Sequence, residues 1–176
     1  MNQKLLFMLF VFCVLTHVNV QSQSIKKDNI IYLLEDDKAF ILGFNEKATK
    51  VTIEHSVSYK KHTYHVVGVK LDSKQNPCYD GKTIEIREMV FAEGITEVFD
   101  KVAVNMIMLE KVVLPSTITL IGQSAFSGCK SLKEINIPKS MTSIGVLAFQ
   151  GCTNLKTFSM PDSVKTIGKE AFKNCI

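Results

Sequence analysis

A 23-residue period governs the second half of this chain. Leu114-Pro115 to Cys129, Ile137-Pro138 to Cys152 and Met160-Pro161 to Cys175 are three copies of one wording. Pro115, Pro138 and Pro161 lie 23 residues apart, as do Gly122, Gly145 and Gly168. Phe126, Phe149 and Phe172 keep that spacing, followed in each copy by Cys129, Cys152 and Cys175. A fixed period of this length marks a solenoid, in which each unit buries its apolar side only against its neighbours. Such a chain presents surface rather than enclosing a catalytic cleft.

Shifting back by one period gives a degraded copy. Ala92 falls at the proline position, Phe99 at the glycine, Ala103 at the phenylalanine and Met106 at the cysteine. Just before each proline position an L-x-x-L-x-L pattern recurs. Its apolar positions are Ile86, Met89 and Phe91; Leu109, Val112 and Leu114; Leu132, Ile135 and Ile137; Leu155, Phe158 and Met160. The last two of each set are two residues apart, hence on one face of an extended strand. Four strands stacked as a parallel sheet are expected from this. A second short extended piece is predicted at Ile118–Gly122, Thr142–Gly145 and Val164–Gly168, its glycine permitting a tight turn. Only about eight residues lie between that glycine and the next strand, too few for a crossover helix. The fold class read here is mainly β, a solenoid of stacked coils. Its 23-residue coils carry a parallel sheet and short 3₁₀ or helical turns behind an irregular N-terminal β cap.

The wording I-P-x-S-V-T-x-I-G-x-x-A-F-x-G-C-x-x-L-K resembles the BspA-like leucine-rich repeat of secreted and surface proteins from oral bacteria and parasitic protists. The resemblance runs over 83–176 and is closest in Met160-Pro161-Asp162-Ser163-Val164 and Ala171-Phe172-Lys173-Asn174-Cys175. It implies the α/β-type leucine-rich-repeat solenoid as the fold and protein binding as the function, with adhesion to host matrix or to other cells as the usual role.

The first 22 residues read as a signal peptide. Lys4 precedes an apolar run, Leu5–Leu15, and Val20 and Ser22 suit the positions before a cut after Ser22. The run is shorter than the roughly 20 residues of a membrane span. A secreted or cell-surface location is therefore expected, with no membrane span in the mature chain. Residues 23–82 lack the period and read as the cap. Ile30–Leu34 and Ala39–Leu42 form a hairpin about an acidic turn, Val51–Ile53 and Thr63–Val67 are further strands, and 72–82 is a joining loop. Residues 83–176 are the repeats, one degraded and three clean, the last stopping in mid-coil as in a truncated product.

Export permits disulfides, yet equivalent cysteines in a stack point the same way, which suits free buried thiols. Cys78 stands alone in a polar loop. The net charge of +4 is spread thinly and argues for no nucleic-acid partner. His62 and His65, three apart on a strand, project to opposite faces and make a poor metal pair; His55 is nearby. The repeats hold no histidine and no catalytic motif, so no catalytic, cofactor-binding or metal residues are assigned. The outward strand positions Lys111, Val113, Glu134, Asn136, Thr157 and Ser159 are the candidate protein-binding residues. An extracellular or host surface protein is the expected partner, with self-association through the open C-terminal coil. Two rival readings are a truncated repeat protein without independent function, and a metal or enzymatic site in the cap near His55, His62 and His65.

Overall fold

The computed structural model describes residues 23–70, 84–156 and 158–175. The leader, the 72–82 loop with Cys78, and Thr157 lie outside the described residues.

The chain enters as a hairpin of β1 (Gln23–Lys27) and β2 (Ile30–Glu35), turned at Asp28 and Asn29 with φ of 48° and 67°. Two successive left-handed residues give the hairpin turn whose twist matches its strands, and Asp and Asn tolerate that region. β3 (Lys38–Phe44) returns along β2 across the acidic turn Asp36-Asp37, as the sequence suggests. Ile30, Tyr32 and Leu34 are buried while Ile31, Leu33 and Glu35 are half-exposed, so β2 has one apolar face. After β4 (Lys50–Ile53), a second hairpin joins β5 (Ser56–Tyr59) to β6 (His62–Val69) through Lys60 and Lys61, also at φ 48° and 67°. β6 lies parallel to β3, completing a mixed sheet of order β1-β2-β3-β6-β5.

The repeats supply β7 (Glu88–Phe91), β8 (Glu97–Val98), β9 (Lys111–Val113), β10 (Leu120–Ile121), β11 (Glu134–Ile135), β12 (Ser143–Ile144) and β13 (Thr166–Ile167). They form two parallel sheets, β4-β7-β9-β11 and β8-β10-β12-β13. Within the repeats each rung joins residues one period apart, as in Glu88 with Lys111 and Leu120 with Ser143. β4 enters the first of these sheets by pairing Lys50 with Glu88. The β5–β6 hairpin lies in that interval, so the period is lost from the sequence while the stacking continues.

Two expectations are corrected. No strand forms over Phe158–Met160 among the described residues, and Met160 is 38% exposed. Lys133 N–H donates to Glu110 O of the preceding coil, but the equivalent Lys156 N–H turns back to Asn154 O. Among the described residues the sheet therefore has four strands because β4 joins it at the other end. The regular spacing of Gly122, Gly145 and Gly168 also has a cause other than a tight turn. None has positive φ; each lies where a Cβ would strike the coil before it. At Gly145 that Cβ would sit 2.7 Å from both Gln123 N and Gly122 C. Phe99 fills this position in the first coil because β8 is the outermost strand of its sheet and no described strand precedes it there.

The left-handed positions lie elsewhere in each coil. Lys101, Ser124, Leu147 and Glu170 form one set, and Asn105, Gly128, Gly151 and Asn174 the other, both at the 23-residue interval. The degraded copy thus keeps the full turn geometry. Between these points N–H groups alternate in their partners. Ala125, Ser127 and Cys129 bond three residues back, whereas Ser124, Phe126 and Gly128 donate to Val146, Ala148 and Gln150 of the next coil. This alternation gives helical-looking i to i+3 bonds without a helix, and none is found among the described residues.

One apolar core runs from Ile30 to Ala171. Phe126 stacks on Phe149 at 5.5 Å between ring centroids, and Phe149 on Phe172 at 5.2 Å. Phe158 meets both Phe149 and Phe172 edge-on. The three repeat cysteines each donate to a carbonyl of the coil before: Cys129 to Ala103, Cys152 to Phe126 and Cys175 to Phe149. Burial pushes the Cys152 thiol up to about 12 and raises that of Cys175.

An alkaline limb of instability follows. Above the ordinary thiol value of 9.0 the unfolded chain loses the Cys152 proton while the folded chain keeps it. The folded state then binds more protons, so stability falls with rising pH by up to about 1.4 kcal/mol per unit for this thiol. Below that value the thiol adds no slope. Tyr32 is pushed upward by burial and by Asp28 and Glu54, so it steepens the same limb. Urea unfolding between about pH 8 and about pH 11 should show the decline, shallower in Cys152→Ala.

Candidate protein-binding face

The outward side of the β4-β7-β9-β11 sheet is a ladder of alternating charge. One rung runs Lys50, Glu88, Lys111, Glu134 in register. Lys50 Nζ is 3.0 Å from Glu88 and Lys111 Nζ 3.4 Å from Glu134. Its neighbour runs Arg87, Glu110, Lys133, with Glu110 paired to both cations. The Arg87 hydrogen bond, aided by Lys133, holds the Glu110 carboxyl below its usual range. These exposed pairs contribute little stability each. Their effect is to fix the side chains in an ordered array and leave little net charge on the rungs.

Beside the charges runs a less polar column, Thr52, Val90 and Val113, all half-buried. Near β11 the surface sinks into an open groove of about 570 Å³ lined by Lys111, Val113, Lys133, Glu134, Ile135 and Ser159, with Asn136 at its wall. Five of the six residues singled out from sequence therefore meet at one place. The sixth, Thr157, lies outside the described residues. Asn136 has a further part. Its side chain accepts from Leu114 N–H at 2.8 Å and donates to Leu114 O at 2.7 Å, so it ties two coils together rather than offering a free amide. Sequence reasoning missed Arg87, Glu88, Glu110 and Lys133 as members of the face. A one-period shift from Glu110 or Lys111 lands on Arg87, Lys133 and Glu88, so the signal was present.

The cap histidines do not converge as a trio. His55 and His65 line a cavity of about 310 Å³ with Glu97 and Phe99, while His62 packs edge-on against Tyr64. Among the described residues no group of three or more His, Cys, Asp or Glu is placed to hold a metal ion. No described helix is long and apolar enough to cross a membrane.

Parallel sheets whose rungs lie one 23-residue period apart, joined by tight turns around a column of apolar side chains, define a leucine-rich-repeat solenoid. The chain belongs to the BspA type leucine-rich repeat family, whose pattern matches residues 75–176 in 6 copies. The solved structure of a leucine-rich repeat protein from Bacteroides ovatus is 30% identical, with a TM-score of 0.67, covering 84% of this chain and 38% of that one. A leucine-rich cell surface protein from Faecalibacterium prausnitzii is 19% identical, TM-score 0.50, covering 90% of this chain and 54% of that one. The pneumococcal vaccine antigen PcpA is 19% identical, TM-score 0.52, covering 88% of this chain and 48% of that one. These last two share the fold alone. The chain spans well under two thirds of each of these proteins. Among curated proteins none matches.

Proposed function

We propose that this protein is a secreted or cell-surface binding module that presents the β4-β7-β9-β11 face to an extracellular protein, in adhesion to host matrix or to other cells. The observation that carries the reading is the groove beside β11, where half-buried Val113 and Ile135 sit among Lys111, Lys133 and Glu134. Apolar contact flanked by fixed charges of both signs suits a protein surface better than a small metabolite or a nucleic acid. The family assignment supports protein binding. An outward location is supported by relatives described as a cell surface protein and a vaccine antigen.

Four short strands span only about 20 Å. A face of this size is below the roughly 800 Å² that each partner contributes to a standard interface. Single contacts are therefore weak, and clustering on a surface supplies useful avidity. The test is binding of purified extracellular matrix proteins to the chain displayed at high density. Val113→Glu should abolish capture, whereas Val146→Glu, exposed and remote from the groove, should not. Retained binding in a folded Val113→Glu variant would remove this face as the site.

A further inference from the structure

We infer that the groove beside β11 seats an acidic side chain of its protein partner between Lys133 and Lys156, an inference that rests on the binding-face reading above. The column Arg87, Glu110, Lys133 alternates in sign from coil to coil, and Lys156 takes its next place one period on. There the alternation fails. Glu110 lies between two cations, with Lys133 Nζ at 3.4 Å on one side and Arg87 on the other. Lys156 is exposed and makes no ion pair among the described residues. Glu134, the acid next to Lys133 in the chain, is engaged with Lys111 at 3.4 Å. Strands of adjacent coils pair about 4.8 Å apart, and two ammonium groups at such an interval repel. A carboxylate set between them removes the repulsion and accepts hydrogen bonds from both, as Glu110 does one coil earlier. The backbone leaves an opening there. Lys156 N–H turns back to Asn154 O instead of pairing with β11, and the groove of about 570 Å³ is bounded by Lys133, Ile135 and Ser159.

The distribution of charge along the coils points the same way. Residues 84–129 carry six acids and three bases, residues 130–175 three acids and seven bases. The β11 end of the face is therefore the electropositive one, and its field draws an acidic partner there rather than to the β7 end. A plain polyanion fits less well. Val113 and Ile135 offer apolar contact, and the Glu134 carboxylate repels a continuous run of negative charge. The occupant that meets all three conditions is a protein segment carrying one carboxylate flanked by aliphatic side chains.

Chemical-shift titration with two capped peptides, acetyl-Leu-Glu-Leu-amide and acetyl-Leu-Gln-Leu-amide, tests it. The Glu peptide should shift the amides of Val113 and Ile135 saturably and bind about fivefold tighter than the Gln peptide, the upper range for an exposed ion pair. That preference should shrink in high salt. Lys156→Glu places the missing carboxylate in the chain itself and should erase the preference. Lys165→Glu makes an equal change of charge at an exposed lysine just before β13, in the other parallel sheet, and should leave it intact. No shift at Val113 and Ile135, equal affinity for the two peptides, or a preference that survives Lys156→Glu overturns the carboxylate seat. So does a preference lost equally in Lys165→Glu, since net charge alone then accounts for it. Heparin binding that Lys156→Glu weakens and Val113→Glu does not would make a polyanion the occupant and overturn it too. Failure of the face itself is read separately, from matrix-protein capture that persists in Val113→Glu.

Discussion

Phe149→Ala is expected to destabilise the fold by about 3–5 kcal/mol, the cost of a large cavity where a fully buried ring is deleted. Phe149 is the centre of the aromatic cluster, stacked on Phe126 and Phe172 and met edge-on by Phe158. Rings on both sides belong to adjacent coils, so neither can collapse into the space without moving its own backbone. Phe126→Ala loses one ring neighbour and should fall near the lower end of that range. Phe172→Ala should be mildest, because Phe172 is already half-exposed. Urea unfolding of the three variants supplies the comparison. Equal small losses would show that the rings do not share one column.

Gly145→Ala should be as damaging as the loss of a core ring, by about 3 kcal/mol, although it adds one methyl group to a position that is not left-handed. The new Cβ would lie 2.7 Å from Gln123 N and 2.8 Å from Gly122 O, both backbone atoms of the coil before. A flexible side chain could step aside; a backbone held in a hydrogen-bonded stack cannot. Relief requires the coils to part, which loosens Gly145 N–H from Ile121 O and the apolar contacts beneath. Gly151→Ala offers a contrast. Its φ of 74° is unfavourable for alanine, but the nearest atoms to its Cβ are 3.8 Å away. Its cost is conformational, about 1–2 kcal/mol, and smaller. If Gly145→Ala unfolded no more easily than Gly151→Ala, close coil packing at the glycine column would be wrong.

The repeat is legible because its cause is local. A proline, a glycine, a phenylalanine and a cysteine recur wherever one coil must lie on another, and chain distance equals stacking distance. Legibility weakens where that equality breaks. β4 reads as a strand, but its partner β7 lies beyond the β5–β6 hairpin and the 72–82 loop, so no period links the two. Met160 fits the apolar pattern and is expected inward on that ground. Whether a patterned strand pairs depends on the backbone it meets, and Lys156 N–H bonds within its own coil. The role of Gly122, Gly145 and Gly168 is hidden for another reason. Glycine serves both left-handed turns and close approach, and sequence does not say which. Phe99 in the first coil is the clue that a neighbour, not a torsion, sets the requirement. Of the binding face, the central residues are visible as outward strand positions. The charge ladder is harder to see because its members alternate in sign between coils, so they do not look like a repeat.

Native-state hydrogen exchange at three glycine amides tests the stacked-coil account most directly. Gly122, Gly145 and Gly168 N–H donate to Val98, Ile121 and Ile144 O, each in the coil before and each at 2.7–2.8 Å. They can be protected only if consecutive coils stand in this register. The account predicts slow exchange at Gly122 and Gly145, approaching the rate set by global unfolding, and somewhat faster exchange at Gly168 in the last described coil. Exchange at Gly122 and Gly145 as rapid as in an open loop, in a chain that is otherwise folded, would contradict it.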